Sequence, residues 1–348
     1  MCQYSAGQDG RPDDWHLVHL GSFAVGGAGL VLTEATAVLP QGRLSPADTG
    51  IWDDDQTQAW SRIVRFLHGQ GAAAGVQLVH AGRKASTSPP WEGTAPVAAE
   101  DGGWPTVAPS AVPFGRLPAP AALDAAGIAA VVDAFRRSAL RAQDAGFDVV
   151  ELHAAHGYLL HQFLSPLVNQ RTDGYGGDFT GRTRLLLEVT SAVRDVWPDE
   201  RPLFVRVSAT DWVTGGWDVE QTVALSRLLA ARGVDLVDCS SGGAVPGADI
   251  PVEPGYQVGF AARVRAEAGI ATAAVGLLTT ADQAEQVIAS GSADAILLGR
   301  ELLRQPRWPL LAAAELGVAR VDWPRPYEGA RPPVALASET ARRPGAAA

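Results

Sequence analysis

Seven short apolar runs, rich in β-branched residues, recur between Gly29 and about Leu316, and longer helix-period segments lie between them. That alternation restricts the chain to βα units around a parallel sheet, because strands running the same way need a crossover long enough to hold a helix. The runs are GLVLTEAT (29–36), GVQLVHAG (75–82), FDVVELH (147–153), PLFVRVSA (202–209), VDLVDCSS (234–241), IATAAVGLL (270–278) and ADAILLGR (293–300). Helices are expected at 55–70, 123–145, 182–197, 219–232 and 279–290. Many of them stop at a glycine just before the next strand, at Gly146, Gly233, Gly269 and Gly291.

Seven strands fall one short of a (β/α)8 barrel. A helix-like stretch at 14–25 precedes the first visible strand, so in an eight-fold count it is helix one, and strand one would lie upstream. Either the sheet is open, or the sequence starts inside its own fold, and the expectation is the second: an α/β fold, a (β/α)8 TIM barrel missing its first strand. Such a sheet would leave the edges of its second and eighth strand positions unpaired.

The segment 83–122 is too long for a simple βα turn and is stiffened by prolines. It follows what would be the third strand, on the face where barrel enzymes keep their active sites, and reads as a lid or small subdomain. A single (β/α) barrel domain is expected over 1–330, followed by a disordered tail over 331–348 that is rich in Ala, Pro and Arg.

Composition removes several function classes. A formal net charge of −10 argues against nucleic acid or an anionic membrane as partner. Cys2 and Cys239, the only two cysteines, cannot build a disulfide framework or ligate a four-thiolate iron–sulfur cluster, which fits a reducing cytoplasm. No apolar run approaches the ~20 residues of a membrane span, and the residues after Met1 do not read as a signal peptide.

Strand alternation places Val149, Glu151 and His153 on one face, and Phe204, Arg206 and Ser208 on one face of the next strand. These faces point inward, so Arg206 needs either Glu151 or an anionic ligand as its partner. The ends of the last two strands, AVGLLTT and LLGRELL, each carry a glycine before a helix, the usual barrel phosphate site, and Arg300 follows Gly299 directly. His153, His156 and Tyr158 stand together at a strand end. Metal binding, burial as core groups, and the grip on a carbonyl oxygen are the candidate roles. Zinc would need a third protein ligand in a familiar spacing, which is lacking here. Two N–H donors polarising an oxygen, with Tyr158 giving a proton, is the favoured reading.

MCQYSA (1–6), EATAVLPQGR (34–43), VQLVHAGRK (76–84), ELHAAHGYLLHQFLSPLVNQRTDGYGG (151–177), FVRVSATD (204–211) and ILLGRELL (296–303) together resemble the Old Yellow Enzyme family, in its bacterial thermophilic-like branch. The resemblance implies an FMN-dependent ene-reductase on a barrel, reduced by NAD(P)H and passing hydride to the activated C=C bond of an enone, nitroalkene or quinone. It implies that His153 and His156 hold the substrate oxygen and that Tyr158 donates the proton. Gln77 and Arg206 match residues on the flavin's pyrimidine edge, Ala35 a backbone contact, and Gly276, Gly299 and Arg300 the phosphate site. Cys2 matches the cysteine near the reactive flavin edge, Tyr4 a tyrosine lining the substrate pocket, and Lys84 lies near that pocket. In the family a further segment with the first strand precedes MCQYSA. Some members form a homodimer or homotetramer that sends an arginine into the neighbouring site after a Tyr-Glu pair; here Arg331 follows Tyr327-Glu328 after two intervening residues. The alternatives are a truncated barrel without activity, and a metal-dependent lyase or hydrolase using His153, His156 and Glu151.

Overall fold

The computed structural model describes residues 1–318 and 322–331. Of the expected tail, 332–348 lies outside the described residues. The elements run α1 (Asp14–Val25), β1 (Leu30–Ala37), α2 (Asp54–Gly69), β2 (Ala73–Val79), β3 (Val107–Ala108), β4 (Ala121–Ala122), α3 (Ala125–Ala145), β5 (Val149–Ala154), α4 (Leu159–Leu164), α5 (Phe179–Arg194), β6 (Leu203–Ser208), α6 (Val219–Ala230), β7 (Leu236–Ser240), α7 (Val258–Ala268), β8 (Ala271–Ala274), α8 (Ala281–Ala289), β9 (Ala295–Ile296), α9 (Arg300–Arg304) and α10 (Trp308–Glu315). Seven strands form one curled, all-parallel sheet in the order β1-β2-β5-β6-β7-β8-β9. The sheet is open: among the described residues, β1 and β9 each have a neighbour on one side only.

Local chemistry explains the boundaries. Asp13, Asp53, Asp124, Asp178 and Asp218 cap α1, α2, α3, α5 and α6 by accepting from free backbone N–H groups of the first turn. The glycines after α3 and α7, Gly146 and Gly269, adopt left-handed C-cap conformations, as the sequence suggested. The strand expected over 270–278 stops at Ala274, because Gly276 (φ 130) and Leu277 (φ 51) leave the β region. The central strand β5 is buried on both faces, between the sheet interior and a coat of helices. A bulge in β1, where the register passes from Leu32–Gly75 to Ala35–Gln77, brings the Thr33 hydroxyl onto the Gln77 N–H at 3.1 Å.

The segment 83–122 folds into short 3-10 turns and the small parallel pair β3–β4. Its backbone is held by two arginines, Arg83 at its start and Arg171 outside it. Arg83 donates to the carbonyls of Val112 (3.0 Å), Pro113 (3.2 Å) and Ala244, and Arg171 to those of Pro109 (3.0 Å) and Leu123 (2.5 Å). No helix of the described residues is long and apolar enough to cross a membrane.

Candidate active site at the strand ends

A layer of polar side chains crosses the sheet interior. Gln77 on β2 faces Glu151 on β5 and donates Nε2–H to Oε1 at 2.6 Å. Arg206 on β6 is paired with Asp238 on β7, Nε to Oδ2 at 2.9 Å, in direct cross-strand register. This corrects the expectation for Arg206, whose partner is neither Glu151 nor a ligand alone. The alternation that turns Arg206 inward also turns Asp238 inward, but the pairing of the two depends on register. Asp238 is fully buried, and beyond that ion pair Arg206 makes no hydrogen bond among the described residues. Burial and the nearby Asp238 charge push the Glu151 carboxyl up to about 8.

One layer above, His153 stands near the end of β5 beside Arg206. Its Nδ1 accepts the Ala155 N–H at 3.2 Å, so its proton sits on Nε2. His156 Nε2 lies 2.7 Å from the Ser240 hydroxyl. That hydroxyl is 3.4 Å from Gln257 Oε1, which already takes the Ser241 hydroxyl at 2.7 Å. Ser240 therefore donates best to His156, leaving the proton of His156 on Nδ1. The ring of His153 is 5.1 Å from that of His156 and 4.8 Å from that of Tyr158, both edge-on. Burial, and next the Arg206 charge, hold both histidines well below their usual range, so each is a neutral N–H donor. Burial holds the Tyr158 phenol well above its usual range, keeping its proton on.

The turn carrying these groups is strained and fully tied. His156 (φ 57) and Gly157 (φ 72) are both left-handed. The His156 N–H donates to Ser208 Oγ (2.9 Å), and its carbonyl accepts from Lys84 Nζ (2.7 Å). The Gly157 N–H donates to His161 Nδ1 (2.8 Å), and its carbonyl accepts from Gln162 Nε2 (2.7 Å). A Cβ on Gly157 would stand 2.0 Å from the Gly243 carbonyl oxygen. Gly157→Ala is accordingly expected to destabilise the chain by about 3 kcal/mol or more, combining backbone strain with a backbone clash. Denaturant titration measures it, and a loss under 1 kcal/mol would mean the turn adapts freely.

Of the other expected site residues, Lys84 contacts this turn directly. Lys84 also donates to the Gly243 carbonyl at 2.6 Å and sits 4.1 Å from the Phe114 ring of the 83–122 segment, so it braces the turn. Burial and the Arg83 charge draw its pKa down to about 7. Cys2 and Tyr4 pack with Leu44, Ala81, Ala85, Trp104 and Tyr158, which puts both beside the proposed proton donor. The Cys2 sulfur also lies within 4.8 Å of carboxylate oxygens of Glu34 and Asp48. Ala35 pairs with Gln77 across β1 and β2. Gly276 and Gly299 follow the adjacent strands β8 and β9 at the same sheet edge, and Arg300 is exposed at the start of α9. Tyr327 and Glu328 lie in a 3-10 turn that ends at Arg331. Glu151 points at Gln77, and among the described residues it does not join His153 and His156 as a metal-ligand set.

Comparison with known proteins decides the family. Residues 1–317 match the model of the NADH:flavin oxidoreductase / NADH oxidase family. The chain belongs to this family. It is 46% identical over 331 residues to the NADPH dehydrogenase of Halalkalibacterium halodurans, covering 95% of this chain and 92% of that protein. It is 49% identical over 330 residues to the NADPH dehydrogenase of Geobacillus thermodenitrificans, covering 94% and 92%. Among solved structures, morphinone reductase superposes with a TM-score of 0.75 at 30% identity, covering 92% of this chain and 85% of that one. These relations place it among the Old Yellow Enzymes, as an NAD(P)H-dependent flavin oxidoreductase with FMN as cofactor and a small molecule as substrate. The residues present fit that cofactor. A flavin's pyrimidine edge offers oxygens and one N–H, and the interior offers the Arg206 guanidinium, which is short of acceptors, and Gln77 Oε1, which makes no hydrogen bond among the described residues.

Proposed function

We propose that this chain is an ene-reductase acting on α,β-unsaturated carbonyl or nitro compounds. One observation carries the reading: two neutral imidazoles and a protonated phenol cluster within ring distances of 4.8–6.4 Å beside the half-buried Arg206 guanidinium. Two N–H donors on adjacent rings suit a carbonyl, nitro or quinone oxygen that gains negative charge. Gln77 and Arg206 would hold the flavin, with Ala35 giving a backbone contact and Gly276, Gly299 and Arg300 holding its phosphate. The chemistry supplied by bound FMN is hydride transfer, from NAD(P)H to the β-carbon of the activated alkene. His153 and His156 fix and polarise the substrate oxygen, and Tyr158 gives its proton to the α-carbon. Tyr4 and Cys2 wall the pocket beside Tyr158. The 83–122 segment serves as the lid that selects among substrates, on a (β/α)8 barrel short of its first strand.

Tyr158→Phe tests the role of the phenol. Alkene reduction is expected to slow by about 10²–10⁴-fold, while flavin reduction by NAD(P)H slows far less. Stopped-flow measurement of the two half-reactions separates them. Equal slowing of both would remove Tyr158 as proton donor.

A further inference from the structure

His161 and Asp211 lie outside the substrate pocket. Both are fully buried, His161 on α4 and Asp211 just after β6. His161 Nδ1 accepts the Gly157 N–H at 2.8 Å, and an acceptor nitrogen carries no proton. The ring is therefore neutral with its proton on Nε2, and Nε2 lies 3.0 Å from Asp211 Oδ1. The approach is off the ideal hydrogen-bond line, yet neither atom has another hydrogen-bond partner among the described residues. The second Asp211 oxygen is occupied, by the Ser165 hydroxyl at 2.6 Å and the Trp217 N–H at 2.8 Å. Burial pushes the Asp211 carboxyl up, but His161, Ser165 and the Trp217 amide together hold it below the usual carboxylate range. Ser165 bonds Asp211 rather than His161 and is itself fully buried, so the trio cannot act as a hydrolytic triad.

We infer that Asp211 locks His161 in its Nε2–H tautomer, making His161 a positioning residue that grips the Gly157 amide and so aims His156 and Tyr158. His156 and Tyr158 flank Gly157, and a left-handed turn has no regular ladder to hold it. An imidazole in the wrong tautomer would present a donor to the Gly157 donor. The pair thus acts on the site through one backbone hydrogen bond. The consequence for ligand binding rests on the ene-reductase reading, whereas the tautomer itself does not.

Asp211→Asn separates the two. With its oxygen kept by Ser165 and Trp217, the new amide turns an NH2 toward His161, so the ring proton must move to Nδ1 and oppose the Gly157 N–H. The test uses the FMN-loaded chain with 15N-labelled histidine, reading the His161 tautomer by 15N–1H correlation, together with titration of p-hydroxybenzaldehyde followed by flavin absorbance. The expected result is Nε2–H in the wild type and Nδ1–H in Asp211→Asn, with phenol affinity lowered about 10–100-fold. His161→Asn sets an oxygen where Nδ1 stands and keeps affinity within about threefold, while His161→Gln reaches only Asp211 and loses about tenfold. An unchanged tautomer in Asp211→Asn, or equal losses in the Asn and Gln variants, would overturn the inference. A wild type that binds no phenol would sink the ene-reductase reading instead, and the tautomer would still decide this one.

Discussion

Replacing His153 and His156 together by alanine is expected to lower alkene reduction by about four orders of magnitude while FMN stays bound. Removing one preorganised oxyanion donor typically costs about 10²–10³ in rate, and two donors to one oxygen do not add in full. The two imidazoles stand side by side at the end of β5, each with one nitrogen already committed, to the Ala155 N–H and the Ser240 hydroxyl. The flavin should remain because Gln77 and Arg206 stand on different strands from the pair. Phenol titration and the enone half-reaction check the prediction. Flavin loss in the double variant would mean that the histidines hold the cofactor rather than the substrate.

Arg206→Leu should be the most damaging single change to both stability and cofactor binding. It leaves Asp238, fully buried, without its ion pair, and such a charge costs about 3–5 kcal/mol. It also removes the guanidinium proposed to face the flavin. These effects can be parted. Arg206→Leu with Asp238→Leu removes the orphaned carboxylate and should recover most of the lost stability, yet remain poor in FMN. Thermal unfolding of the apoprotein and FMN titration give the two readouts. Recovery of flavin affinity in the double variant would mean that Arg206 acts only by neutralising Asp238.

How much of this could be read from the chain depends on how local each signal is. The strands, the glycine helix stops and the inward set Glu151, His153 and Arg206 follow from periods of two and 3.6, which any short window reveals. The Arg206–Asp238 pair escaped because it is fixed by the β6–β7 register, a tertiary quantity. The left-handed His156 is likewise hidden: its conformation is imposed by Ser208, Lys84 and His161, which approach from 52 and 72 residues away in the first two cases. His161 and Asp211 lie within the runs 151–177 and 204–211 with no spacing that marks them, and only their contacts reveal a purpose. The 83–122 segment has no period of its own, since its backbone is held by the side chains of Arg83, at its start, and of Arg171, far along the chain.

The most direct measurement is anaerobic reoxidation of the flavin. The purified, FMN-loaded chain is bleached with one equivalent of NADPH in the absence of oxygen, then mixed with 2-cyclohexenone while its visible absorbance is followed. Rapid return of the oxidised spectrum with stoichiometric cyclohexanone is the result this account predicts. A flavin that NADPH reduces but the enone leaves bleached would contradict it, and would leave a flavin oxidoreductase whose histidine pair serves another electron acceptor.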